Sequence, residues 1–180
     1  MKRPLIEACV DSYASAMAAG RAGADRLELC AHLVIGGTTP THALFRQVQR
    51  GSGVPVNVLI RPRFGDFLYT EPELEEMCEE IAAFRDLGAN GVVIAEPVAG
   101  LLSPALSAEF SGPYVKQIVD AVQDDSFLVI YHNCGNSTIQ MIDSILETGS
   151  AAYHFGNAID MAEMMTHIPA GTVAMGNVDP

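Results

Sequence analysis

The feature that most limits what this chain can fold into is a unit that repeats along it: a short apolar run, a polar or glycine-rich end, a capped helix, and glycine before the next run. Apolar runs of this length, bounded by turn residues, read as strands. They fall at Leu5–Val10, Arg26–Cys30, Val54–Ile60, Gly91–Ala95, Phe127–Tyr131, Ala151–Phe155 and Thr172–Met175. The rhythm is βα throughout. It predicts an α/β fold, a TIM-type (β/α)8 barrel that is incomplete, with seven parallel strands and the eighth missing, and with functional groups gathered at the carboxyl ends of the strands. An open doubly wound sheet is the competing arrangement, but no glycine fingerprint of the dinucleotide-binding type follows the first strand. An unclosed barrel leaves bare edges on its first and seventh strands, which a homo-oligomer would cover.

The helix starts support the same rhythm. Asp11 or Ser12 can cap the helix after the first strand, a second helix begins near Thr41, and Thr70-Glu71-Pro72-Glu73 reads as a capping box with an early proline. Leu74, Met77, Cys78, Ile81 and Phe84 then form a helical stripe, which places Cys78 in the core. Ser103 before Pro104 starts another helix, and Ser111-Gly112-Pro113 interrupts it before Val115.

With 180 residues, nearly half of them apolar, the chain is expected to form a single domain with a substantial core. A net charge of −12 argues against nucleic acid as a partner, because phosphate neutralisation needs clustered Lys and Arg. No apolar run is long enough to span a bilayer, and Met1-Lys2-Arg3-Pro4 leads straight into a strand, so no membrane association and a cytoplasmic location are expected. Scattered cysteines in a reducing compartment read as thiols or ligands instead of disulfides. The basic pair in Arg61-Pro62-Arg63 stands out in an acidic chain and points to a small anionic ligand.

Two resemblances divide the sequence near Ala95. Glu7-Ala8-Cys9-Val10-Asp11-Ser12, Gly23 to Cys30, Gly36-Gly37-Thr38-Thr39-Pro40, Ile60 to Phe67 and Leu87 to Val93 resemble the CutC family, with Phe64 where glycine is usual. This resemblance, over about 5–94, implies a TIM barrel and a part in copper homeostasis. Leu102-Ser103-Pro104, Tyr114 to Val119, Tyr131 to Asn136 and Met175 to Pro180 look like the methylcobamide-dependent methyltransferase branch of the uroporphyrinogen decarboxylase superfamily. This second resemblance, over about 95–180, implies zinc bound by His132 and Cys134 with a later cysteine, and transfer of a methyl group from a corrinoid to a thiol. The chain is thus expected to be a truncated hybrid of two half-barrels, 1–94 and 95–180. Three functions remain open: a CutC-like copper protein, a zinc-dependent methyltransferase, or an inactive hybrid fragment.

The residues themselves can be weighed beside these resemblances. His132 and Cys134, two apart at a strand end, should point the same way and are both good zinc donors; His154 or Asp179 is a substitute third ligand. The alternative is a hydrogen-bonded histidine beside a buried thiol. Cys9 and Cys30, at equivalent ends of adjacent strands, either hold a soft ion such as Cu(I) or are two core thiols. Glu7, Glu28, Arg61, Arg63 and Asp66 form a charged group at the mouths of the first three strands. They either pair among themselves or bind a carboxylate or phosphate through the arginine forks. The expected partner is therefore a small molecule or a metal.

Overall fold

The computed structural model describes residues 3–177. Strands β1 (Glu7–Val10), β2 (Arg26–Leu29), β3 (Val56–Leu59), β4 (Gly91–Ala95), β5 (Leu128–Asn133), β6 (Ala152–Phe155) and β7 (Val173–Met175) alternate with helices, an α/β fold of the TIM-barrel type. Each strand falls in an expected run, shortened at half of the ends by one or two residues, while β5 extends two residues further and takes in His132. The fold divides after Val93 into two compact units.

In the first unit β1, β2, β3 and β4 pair in sequence order, all parallel. Parallel neighbours need a crossover, and α1 (Tyr13–Ala22), α2 (His42–Ser52) and α3 (Glu71–Asp86) supply it. Ser12 caps α1 by accepting from the Ser15 N–H at 3.2 Å, and Thr41 caps α2 by accepting from Leu44 N–H at 3.2 Å. Glu73 reaches back to the Thr70 N–H at 2.7 Å, which completes the start of α3. Phe45 of α2 and Phe84 of α3 meet edge to face, centroids 5.4 Å apart, and both are fully buried. Such a pair adds about 1 kcal/mol to the gain from burial. The side-chain amide of Gln49 donates to the Leu87 and Gly88 carbonyls and so ties α2 to the end of α3.

The expectation for Cys78 is overturned: its side chain is exposed. The covered side of α3 runs through Met77, Ile81 and Phe84, joined by Glu80, which pairs with His42 at 2.8 Å. At about 100° per residue Cys78 lies round the helix from the centre of that stripe. Leu74 is also half in water. An i, i+3, i+4 reading placed two residues too many on the buried face.

In the second unit β5, β6 and β7 are parallel and in register, Ile130 opposite Ala152 and Ala152 opposite Val173. Helices α4 (Pro104–Phe110) and α5 (Gly112–Val122) are the two parts of the interrupted helix; α6 (Ile142–Leu146) and α7 (Met161–Met164) are short. Pro113 offers no N–H to continue α4, so the helix ends at Phe110 and restarts. Ile130, Phe127, Met141, Ile145, Phe155 and Met164 fill the core. Gly100 and Gly135 touch backbone to backbone: a Cβ on Gly135 would lie 2.2 Å from the Gly100 Cα. Only hydrogen fits there. Gln123 works as a spare peptide unit, its amide oxygen accepting from Val129 and Ala151 N–H (3.2 and 2.8 Å) and its nitrogen donating to the Gly149 carbonyl at 2.9 Å.

Candidate functional site

Parallel registry decides which side chains share a face. Cys9 lies opposite Glu28 and Glu28 opposite Asn57, so Glu7, Cys9, Arg26, Glu28 and Asn57 project from one face of the first unit. Leu27, Leu29, Val56 and Val58 take the other face and are almost wholly buried. The strict alternation in the sequence is what sets this polar row. Glu7 forms an ion pair with Arg26 and accepts from the Asn57 amide at 3.2 Å, while the Asn57 Oδ1 is buried without a partner.

Two thiols stand at the carboxyl ends of β1 and β2. The Cys9 and Cys30 sulfurs are 4.0 Å apart, and Cys9 Sγ is 3.6 Å from Glu28 Oε1. The reading of both as core thiols holds for Cys30, which is fully buried, and fails for Cys9, which is exposed. Cys9 lies on the row that faces away from the leucines, and that row is not sealed. Hydrogen bonding from Cys9 holds the Cys30 thiol below its usual range, against burial. The same contact, then burial and the Glu28 charge, push Cys9 up. Burial, with the nearby Glu7 charge, raises the Glu28 carboxyl to about 7. Gly37 closes over Cys30 with φ +83°, and a Cβ there would lie 2.6 Å from Leu59. That position demands glycine.

The two arginines expected to share an anion are used differently. Arg63 pairs with Glu73, binds Asp66 Oδ1 at 3.1 Å and the Leu68 carbonyl at 2.9 Å, and lies over the Tyr69 ring. Its fork is occupied. Hydrogen bonding from Arg63 holds the Glu73 carboxyl down at about 2 and lowers Asp66, whose first cause is the Leu68 N–H. Arg61 is buried against the Phe67 ring, donates to the backbone carbonyls of Ile35, Gly37 and Gly65, and also interacts with the Tyr69 side chain.

In the second unit His132 and His154 are opposite each other on β5 and β6, ring centroids 4.4 Å apart. Burial first, then the His154 charge, lowers the His132 pKa to about 4, and burial also lowers His154. His132 Nδ1 is buried without a partner. Cys134 lies past the end of β5 against Gly156, where a Cβ would come within 2.6 Å of it. Among the described residues no group of three or more His, Cys, Asp or Glu is placed to hold a metal ion. Asp179, weighed with His154 as a substitute third ligand, lies outside the described residues.

Sequence reading missed one cluster in this unit. Glu96 Oε2 accepts from Ser111 Oγ at 2.6 Å and from the Tyr131 hydroxyl at 2.9 Å, and Asn133 donates to that hydroxyl at 3.3 Å. Burial and the Glu96 charge push the Tyr131 phenol up. Glu96 directly follows β4 and Ser111 sits in the helix break, a pairing across 15 residues that no local pattern signals.

Comparison with known proteins places these features in a family. The human copper homeostasis protein cutC homolog is 49% identical over 89 residues, which are 49% of this chain and 33% of that protein. A CutC protein of Enterobacter sp. (strain 638) is 36% identical over 151 residues, 82% of this chain and 57% of the relative. The chain thus spans about a third of the human relative's length. A solved structure assigned as the copper homeostasis protein CutC of Streptococcus agalactiae superposes with a TM-score of 0.71 at 23% identity, covering 97% of this chain and 87% of that one; at that identity the likeness shows the fold. No described helix is long and apolar enough to cross a membrane. The model of the CutC family matches residues 4–149 and so runs well past Ala95, where the likeness was expected to pass to the uroporphyrinogen decarboxylase superfamily. The chain belongs to the CutC family.

Proposed function

We propose that the chain takes part in copper handling by holding one Cu(I) ion, as cargo, between the thiolates of Cys9 and Cys30. The observation that carries this reading is the 4.0 Å separation of the two sulfurs. Two metal–sulfur bonds of about 2.3 Å, the length known for zinc, reach across that gap with a bent angle at the ion. Soft thiolates select Cu(I) over harder ions. One sulfur is exposed and the other buried, so an ion can enter at Cys9 and be partly withdrawn from water at Cys30. The name of the human relative supports the same chemistry. Thiols release protons on binding metal, and the Glu28 carboxyl beside Cys9 is placed to take one. His132 and Cys134 are left out of this reading, because two donors without a third hold zinc poorly.

The test is competition against a coloured Cu(I) chelator under reducing conditions. The wild-type chain should withdraw one equivalent of copper, and Cys9→Ala and Cys30→Ala should each weaken it at least about tenfold. Equal retention by the double variant would remove the site.

A further inference from the structure

We propose that Arg61 is the recognition group of a small oxyanion site at the carboxyl end of β3, taking a carboxylate or a phosphate group. Arg61 is 9% exposed, and among the described residues no carboxylate forms an ion pair with it. That sets it apart from the nearest comparable side chains. Arg63, two residues on, faces two carboxylates, and Arg26 pairs with Glu7. A guanidinium taken out of water without a counter-charge is costly, because nearby dipoles offset only part of the lost hydration.

The dipoles present hold the group still. Nη1 donates to the Gly37 carbonyl at 3.2 Å and the Ile35 carbonyl at 3.4 Å, Nη2 donates to the Gly65 carbonyl at 3.1 Å, and the plane lies over the Phe67 ring at 4.7 Å. Gly36, Gly37 and Gly65 all have φ between +83° and +106°, and a Cβ on Gly36 would press to 3.3 Å from Nη1. These loops are shaped around the cation. Nε is left buried with no partner. A guanidinium fixed in orientation, without a paired carboxylate and with a spare donor, is what recognition of a planar or tetrahedral oxyanion calls for. The segment that supplies Gly65 is exposed from Phe64 to Asp66, so release of one carbonyl, that of Gly65, opens the fork to a ligand.

The site does not depend on copper, and its test is made on the copper-free chain. Inorganic phosphate and oxalate, titrated separately by calorimetry, stand for the two kinds of oxyanion. The wild-type chain should bind at least one of them and should melt at a higher temperature in its presence; which probe binds names the group. Arg61→Lys keeps the charge but loses the fork and should weaken binding at least about tenfold, and Arg61→Gln should abolish it. Arg46→Gln, which removes one positive charge from an exposed position on α2, should leave binding unchanged. Absence of binding to the wild-type chain by both probes would overturn the proposal, as would binding that persists in Arg61→Lys at full strength. The first criterion and the lysine variant keep the outcome decisive even where Arg61→Gln does not fold.

Discussion

The first unit half-buries a carboxyl group beside thiols, and the second half-buries a pair of imidazoles. Both sit on parallel strands, yet Glu28 is raised to about 7 and His132 is lowered to about 4. The common cause is loss of water, which disfavours the charged form whatever its sign. Acid and base therefore act oppositely on the two units. Folding keeps a proton on Glu28 that the unfolded chain would release, so its contribution is present in acid and lost as pH rises from 4.5 to about 7. His132 refuses a proton that the unfolded chain would take, so its contribution is present above 6.5 and lost as pH falls towards about 4.

The comparison can be broken outright in one unit. Gly135→Val places side-chain atoms inside the backbone of Gly100 and should cost about 3 kcal/mol or more, seen as a collapse of amide-exchange protection over residues 94–177. Unchanged protection there would mean that the contact is not tight. A gentler break uses pH alone. Between about pH 7.5 and about pH 5.5 the first unit should gain about 2 kcal/mol through Glu28, while the second should lose about 1 kcal/mol through His132. Exchange rates read separately over each unit measure this, and Glu28→Gln and His132→Phe should each flatten one profile and leave the other. Parallel responses would refute the assignment. The smallest effect sharpens it: Thr41→Ala and Ser103→Ala each remove a side-chain cap, on α2 and α4, and should cost about 1 kcal/mol with exchange changes confined to the first turn of the helix concerned.

The strands and helix starts were legible because they rest on local rules. A cap acts over three residues and a strand over two, so Thr41, Ser103 and the alternation of Arg26, Glu28 and Cys30 carried their own meaning. The site was legible only in outline. Parallel strands convert sequence alternation into a shared face, which brought Cys9 towards Cys30 and Glu7 to Arg26. The role of each arginine was not visible, since Glu73, which occupies Arg63, had already been read as the partner of Thr70. A carboxylate has two oxygens, and here each has its own task. Cys78 was misplaced for a related reason: periodicity fixes the angle between residues on a helix but leaves open where the covered arc is centred. The likeness between chains also exceeded what motifs revealed: the Enterobacter alignment runs over 151 residues at 36% identity, the human one over 89 at 49%.

The amide of Gln123 holds the amino ends of β5 and β6 at their spacing with three hydrogen bonds from a single side chain. Slow hydrolysis of that amide to glutamate would replace its donor with a second oxygen facing the Gly149 carbonyl. That single change would add one negative charge and loosen this corner, so the spacing of the two strand ends depends on the chemical integrity of one amide.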